Sequence, residues 1–180
     1  MILVFGCGGQ LGQELSETAR SAGTPVIGLS RGETDIADEA SVHRALSSLR
    51  PDVVMNAGAS TKVDQAETDE EAAIRANATG PEILAKACAV AGGPLIHVST
   101  DDVFDGAKAG TYREDDPLAP QKPLGGGFPA VAPIRSKEYP TPAQRPGTSA
   151  LDSSLFGQTF GCTGRPWESA VDATVARLLA

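Results

Sequence analysis

Gly6, Gly9 and Gly12 follow the apolar run Ile2-Leu3-Val4-Phe5 at G-x-x-G-x-x-G spacing. The chemistry such spacing serves is the seating of a pyrophosphate at the start of a helix. Gly6 permits the tight turn, and Gly9 lets backbone N–H groups approach the phosphates. Gly12 lets the helix pack close to the strand, and Gln10 and Leu11 fill out its first turn. The alternative reading is a plain turn between a strand and a helix. Cys7 lies inside the turn, as a small turn residue rather than a catalytic thiol.

Roughly 20 residues beyond such glycines the chain meets the adenosine ribose, where an acidic residue would bind a free 2′-hydroxyl. Here Ser30-Arg31 stands instead, a hydroxyl and a guanidinium suited to a 2′-phosphate. NADPH is therefore the expected cofactor, with NADH accepted; an ordinary surface arginine at a strand end is the bland alternative. Asp35-Ile36 offers a carboxylate for an adenine amino group and an apolar cover for its ring, or else a simple turn aspartate. Ala57-Gly58-Ala59 supplies small residues where backbone can lie against a cofactor. Asn77, a polar residue within a helical stretch, is either exposed or bonded to something specific.

The elements that must hold these residues are legible from periodicity. Leu11, Leu15 and Ala19 share one face of a helix, and Thr24–Leu29 reads as a second strand. Ala37–Leu49 is an amphipathic helix with Val42, Ala45, Leu46 and Leu49 in one stripe, ended by Pro51. Asp52–Asn56 is a third strand, and Lys62–Glu71 a charged, solvated rim. A helical stretch then runs to Ala91, interrupted near Gly80-Pro81. Pro94–Ser99 is a fourth strand. The expected fold is α/β, a Rossmann-type doubly wound parallel sheet with the glycine turn at its carboxyl edge. Between Ala107 and Pro146 eight prolines and no clear period replace this order, and Leu124–Phe128 has the composition of a flexible joint. Ser149–Phe156 and Pro166–Leu179 read as two closing helices, the second with Val171, Val175 and Leu178 inward.

Composition narrows the partners. The 180 residues carry a formal charge of −8 with no basic cluster, which argues against nucleic acid or an anionic membrane surface. No apolar run approaches the roughly 20 residues of a spanning helix. The strand runs straight into the glycine turn, so no signal peptide is expected. Cys7, Cys88 and Cys162 fit neither a disulfide framework nor a zinc site, which suits a reducing, cytoplasmic setting.

The glycine spacing with Gln10-Leu11-Gly12 resembles extended short-chain dehydrogenases/reductases. Further segments resemble the dTDP-4-dehydrorhamnose reductase family within that group. They are Thr34-Asp35-Ile36, Asn56–Ala59 with Val63–Glu67, Asn77 with Gly80, Ser99-Thr100-Asp101, and Val103–Gly106. Glu138–Ala143, Arg145-Pro146 and Ser149–Asp152 resemble the family's substrate-binding domain. The resemblance implies NADPH-dependent reduction of a dTDP-4-keto sugar, with hydride passing to C4 and a tyrosine, its pKa lowered by a lysine, donating the proton. Thr100 matches the hydroxyl that hydrogen-bonds the carbonyl, and Ser99 lies beside it at the cofactor.

The chain departs from that family in one large respect. Its Tyr-x-x-x-Lys is absent: Asp116 stands four positions after Tyr112, and Ala143 four after Tyr139. Asp102 replaces the tyrosine usual in its motif. The family is about 100 residues longer, and what is missing lies between the two matching blocks. The resemblance thus implies an incomplete dinucleotide-binding domain over 1–121, a junction at 122–127, and a remnant of the substrate domain over 128–180. Three readings stay open: an impaired reductase, a non-catalytic dinucleotide-binding or regulatory protein, and a non-functional fragment. Missing strands would leave unpaired backbone groups and apolar surface, so homo-oligomers are expected unless residues 107–180 cover them.

Overall fold

Four short strands, β1 (Ile2–Phe5), β2 (Val26–Leu29), β3 (Val53–Asn56) and β4 (Leu95–His97), pair in parallel in the order β2-β1-β3-β4. They belong to a computed structural model that describes residues 1–66, 68–119 and 148–178. The register aligns Phe5 with Leu29 on one side and with Asn56 on the other, so the three loops leaving these strands emerge together.

Right-handed crossovers decide where the helices lie. The step from β1 to β2 moves one way along the sheet, and the steps to β3 and β4 move the other. Helix α1 (Gln10–Ser21) accordingly packs on β1 and β2, while α2 (Glu39–Leu49) packs beside α5 (Gly80–Ala91) on the opposite face. Leu3, Phe5 and Val54 of the sheet meet Val42 and Leu46 of α2 and Leu84, Ala87 and Cys88 of α5 in the main core. Burial pushes the Cys88 thiol pKa up, consistent with a packing role. β1 coincides with its apolar run, while β2, β3 and β4 are shorter than their expected stretches by two, one and three residues. Asp38 caps α2 by accepting from the N–H groups of Ala40 and Ser41, so α2 starts two residues after Ala37.

At Gly80-Pro81, where a fresh start or a bend is expected, the α-helical pattern is interrupted by a π turn and α5 starts afresh at Gly80, with the chain helical throughout. Helix α4 (Glu70–Ile74) passes into a π-helical turn over Arg75–Thr79 and then into α5, with Gly80 in right-handed helical conformation. A proline in a regular helix clashes with the carbonyl four residues back; the wider π turn over Asn77 makes room for it. The stretch Lys62–Glu71 is likewise more than a rim. It contains α3 (Val63–Ala66), whose Ala66 is buried.

Tyr112 organises the chain beyond the sheet. Its ring stacks on Phe104 with centroids 4.2 Å apart. Its backbone pairs with the returning chain, Tyr112 N–H donating to Ala150 O (2.8 Å) and Asp152 N–H to Tyr112 O (2.7 Å). Leu151 thus sits in a bridge, and the helix expected from Ser149 begins only at Ser154, running to Phe160 (α6). In α7 (Trp167–Leu178), Val171 and Val175 are half-exposed rather than inward, because α7 packs closely on no other described element. The expected joint at Leu124–Phe128, the remnant's Glu138–Ala143 and Arg145-Pro146, and Tyr139 lie outside the described residues.

Candidate functional site

The sheet order reverses between β1 and β3, and the crevice outside their carboxyl ends is where open parallel sheets take ligands. The two loops there touch. Gly6, with φ +78°, lies so close to the β3 loop that a methyl group on it would come 2.5 Å from Gly58 N. A methyl on Gly12 would come 2.3 Å from Gly6 O, so this glycine is required for α1 to reach the turn.

Gly8 and Gly9 differ. A methyl on Gly9 would meet only Gly6 O, at 3.5 Å, and one on Gly8 would meet nothing within 4 Å. No contact inside the protein explains the missing side chains. Both residues line a cleft of about 450 Å³. Gly9 also starts α1 without a side-chain cap, whereas Asp38 and Asp69 close the first turns of α2 and α4. An uncapped first turn with bare backbone before it fits an anionic group.

Gly6, Arg31, Asp35, Ile36, Ala57, Gly58 and Ala59 line the same cleft. Gln10 and Leu11 are exposed in the first turn of α1 at its edge, and Gly12 is buried behind it. Asp35 is engaged twice: Oδ1 accepts from Ala37 N–H (2.9 Å) and Oδ2 from Arg75 Nη2 (3.2 Å). Ile36 packs against Gly80, where a methyl would come 2.6 Å from Ile36 Cγ1, and so seals the cleft floor to the core. Ser30 does not keep its hydroxyl for a phosphate. Its N–H and Oγ both donate to Glu33 Oε2, at 2.8 and 2.6 Å, which holds that carboxylate below its ordinary pKa. Arg31 is then the residue at this strand end able to meet a 2′-phosphate.

A second groove, of about 770 Å³, shares Gly58–Thr61 with the first and continues over β4 to Asn77, Ser99, Thr100 and Leu151. Asn77 is bonded to something specific: its Oδ1 accepts from Ser60 N–H (2.8 Å) and its Nδ2 donates to Ser60 O (3.0 Å). Two lengths of cleft therefore run end to end across the switch point. Lys62 and Arg75, which also line the first, are cations that sequence reasoning did not select. Lys62 stands in a polar stretch and Arg75 in an alanine-rich one, and neither has a local pattern to distinguish it.

Tyr112, the one tyrosine among the described residues, is 4% exposed and lines neither groove, although its backbone is bridged to Leu151 of the second. Its hydroxyl donates to Asp105 Oδ1 (2.7 Å) and accepts from Lys108 N–H (3.2 Å).

Curated proteins and solved structures resemble this chain over about two thirds of its length. Relatives include dTDP-4-dehydrorhamnose reductase of Streptomyces griseus, 43% identical over 123 residues, which are 68% of this chain and 40% of that protein. The enzyme of the same name from Mycobacterium tuberculosis is 44% identical over 124 residues, 67% and 40% of the two chains. The chain thus spans about 40% of the length of these curated relatives. Among solved structures, the dTDP-4-dehydrorhamnose reductase of Bacillus anthracis in complex with NADP superposes with a TM-score of 0.64 at 32% identity, covering 66% of this chain and 42% of that one. The UDP-glucose 4-epimerase of Thermus thermophilus with NAD gives 0.60 at 25%, covering 68% and 45%. The family description "RmlD substrate binding domain" matches residues 1–127 and again 125–180, and the chain belongs to that family.

Proposed function

We propose that the cleft binds a nicotinamide dinucleotide, NADPH in preference to NADH, and that this chain reduces a dTDP-4-keto sugar far more slowly than a complete reductase of its family. The observation that carries the binding reading is the pair of glycines, Gly8 and Gly9, left bare at an uncapped helix start in the same cleft as Arg31. The NADP complex of the Bacillus anthracis relative supports it. The first-turn N–H groups of α1 hold the pyrophosphate, Arg31 pairs with the 2′-phosphate, and Ala57–Ala59 lie along the cofactor. Asp35 and Ile36 border the adenine, while Asn77 and Ser99 border the nicotinamide half.

When bound, the nicotinamide supplies a hydride to the carbonyl carbon of dTDP-4-dehydro-L-rhamnose, giving dTDP-L-rhamnose. Thr100, in the groove beyond Gly58, donates a hydrogen bond to the carbonyl oxygen and steadies its developing charge. An alkoxide left by hydride addition needs a proton, and a threonine hydroxyl is a poor acid. The family's tyrosine and lysine have no counterpart at their expected place, and Tyr112 is committed to Asp105. General acid catalysis contributes about 10²–10⁴-fold, and loss of substrate positioning compounds its absence. The two family matches meet at 125–127, as in a chain whose middle has been removed, which supports a dinucleotide-binding part over 1–121, a junction at 122–127 and a substrate-domain remnant over 128–180. The three cysteines carry no disulfide, and no described helix is long and apolar enough to cross a membrane; we place the protein in the cytoplasm.

The test is calorimetric titration with NADP⁺ and NAD⁺, followed by NADPH oxidation with dTDP-4-dehydro-L-rhamnose beside a complete family member. Saturable binding with turnover at least a hundredfold slower is expected from the lost acid alone. Equal turnover would overturn the impaired reading, and absence of binding would overturn the cofactor reading. Binding without any turnover would select a non-catalytic, regulatory role over an impaired enzyme.

A further inference from the structure

Asn56, at the end of β3, is 1% exposed, and its amide bridges two strands' worth of the site. Gly58 N–H lies 3.0 Å from one side-chain atom of Asn56, and His97 Nδ1 lies 3.1 Å from the other. A backbone N–H only donates, so the atom facing Gly58 is the oxygen Oδ1. The atom facing His97 is then the NH₂ nitrogen, which also only donates, so Nδ1 of His97 accepts and carries no proton. The geometry thus requires the neutral imidazole with its hydrogen on Nε2.

We propose that His97 is a positioning residue: in its neutral Nε2–H form it orients Asn56, and through Asn56 it holds the Ala57–Ala59 loop in the shape that receives the dinucleotide. The second part rests on the cofactor reading above. A further side-chain tether, Asn77 on Ser60, adjoins the loop, and Gly58 is the point at which the loop presses on the glycine turn. Protonating His97 turns Nδ1 into a donor facing a donor. Asn56 must then give up the ring or rotate and give up Gly58, and a buried amide loses a partner either way.

Within this relay His97 is the ionisable side chain, and few other ionisable groups among the described residues face it. Strand β3 contributes no ionisable side chain. In the groove that His97 lines, the other ionisable residue among the described ones is Asp101. On α5, which packs against β4, Cys88 is a buried thiol and Glu82 is paired with Lys86. The sheet register explains why this pair exists: Asn56 stands directly beside His97 across parallel strands.

The experiment begins with the cofactor-free protein. Long-range ¹⁵N–¹H spectra of His97 are recorded with the Gly58 amide shift from about pH 8 to about pH 5, the range over which histidine changes charge. An Nε2–H tautomer is expected, with Gly58 moving in step with the ring. Dissociation constants for NADP⁺ are then compared for the native protein, His97→Gln and His97→Leu. Gln retains an acceptor that does not titrate, so it is expected to keep the affinity found at pH 8. Leu is expected to lose about fivefold to tenfold, the worth of one buried hydrogen bond. On acidification the native protein is expected to weaken more than His97→Gln; the 2′-phosphate of NADP⁺ titrates equally in both, so the difference belongs to the ring. A ring protonated at Nδ1, or a Gly58 amide indifferent to it, would overturn the proposal whatever the affinities. A coupled Gly58 with no NADP⁺ binding at any pH would uphold the tether and overturn the cofactor reading instead. Equal affinities of all three proteins, with binding present, would overturn the link from tether to cofactor.

Discussion

Gly9 and Gly12 carry the same residue name for different physical reasons, and substitution should separate them. At Gly9 a side chain has room in the protein but none beside a pyrophosphate. Gly9→Val is therefore expected to leave the melting temperature within a few degrees while abolishing NADP⁺ binding, as read by thermal denaturation and calorimetry. At Gly12 even a methyl collides with backbone at 2.3 Å, so Gly12→Ala is expected to destabilise the fold itself. Arg31 and Glu33 form a second contrast. Arg31→Ala should weaken NADPH far more than NADH, by about tenfold if one charge-assisted contact is lost. Glu33→Gln should shift preference the other way. It removes a carboxylate from beside Ser30, whose hydroxyl is 2.6 Å away. Equal changes for both cofactors would show that neither residue reads the 2′-phosphate.

At the scale of elements, the joint around Tyr112 is held by carboxylates. Asp105 lies below its ordinary pKa of 3.8 chiefly because the Tyr112 hydroxyl donates to it, with Ala107 N–H second. Asp116 is lowered first by Lys108 and then by Arg113 N–H, and Asp152 first by the Ser154 hydroxyl. A carboxyl whose pKa falls on folding stabilises the folded form fully above its unfolded value and loses that contribution as pH falls through the folded one. The bridge between Tyr112 and Leu151 is thus expected to open below pH 3.8, with the amide of Asp152 losing exchange protection there. Tyr112→Phe should move the Asp105 titration back upward and lower the melting temperature by about 2–4 °C. An unchanged Asp105 carboxyl titration in that variant would refute the assignment.

The same scale shows what could be read from the sequence and what could not. The four strands, α1 and α2 were legible because a strand and an amphipathic helix are periodic over their own length, and the glycine turn because backbone approach demands glycine. The partners of the residues that hold the loops were not. Asn56 meets His97 across 41 positions, Arg75 meets Asp35 across 40, and Asn77 meets Ser60 across 17. Each pairing depends on sheet register or on the path of the π turn, and neither leaves a local pattern. At Gly80-Pro81 the break was legible but its form was not: proline forbids a regular α-turn, and a π turn meets that constraint while keeping the chain helical.

For the molecule as a whole, the sheet ends on β4, an edge among the described residues, and its Ile96 is 49% exposed. On α6 and α7, Phe160 and Trp167 are exposed at 65% and 71%. Edge strands with apolar side chains pair with other chains unless charge or cover prevents it, and apolar surface on this scale promotes association. A net charge of −8 opposes this only at long range and is screened by salt. Self-association that increases with ionic strength is therefore the expected outcome in sedimentation velocity, together with binding of a hydrophobic dye. Ile96→Lys places a charge on the edge without touching either groove lining, so it should reduce association while leaving NADP⁺ affinity unchanged. A native protein that sediments as a monomer at every salt concentration, or an Ile96→Lys variant that associates as strongly, would show that β4 is not the surface responsible.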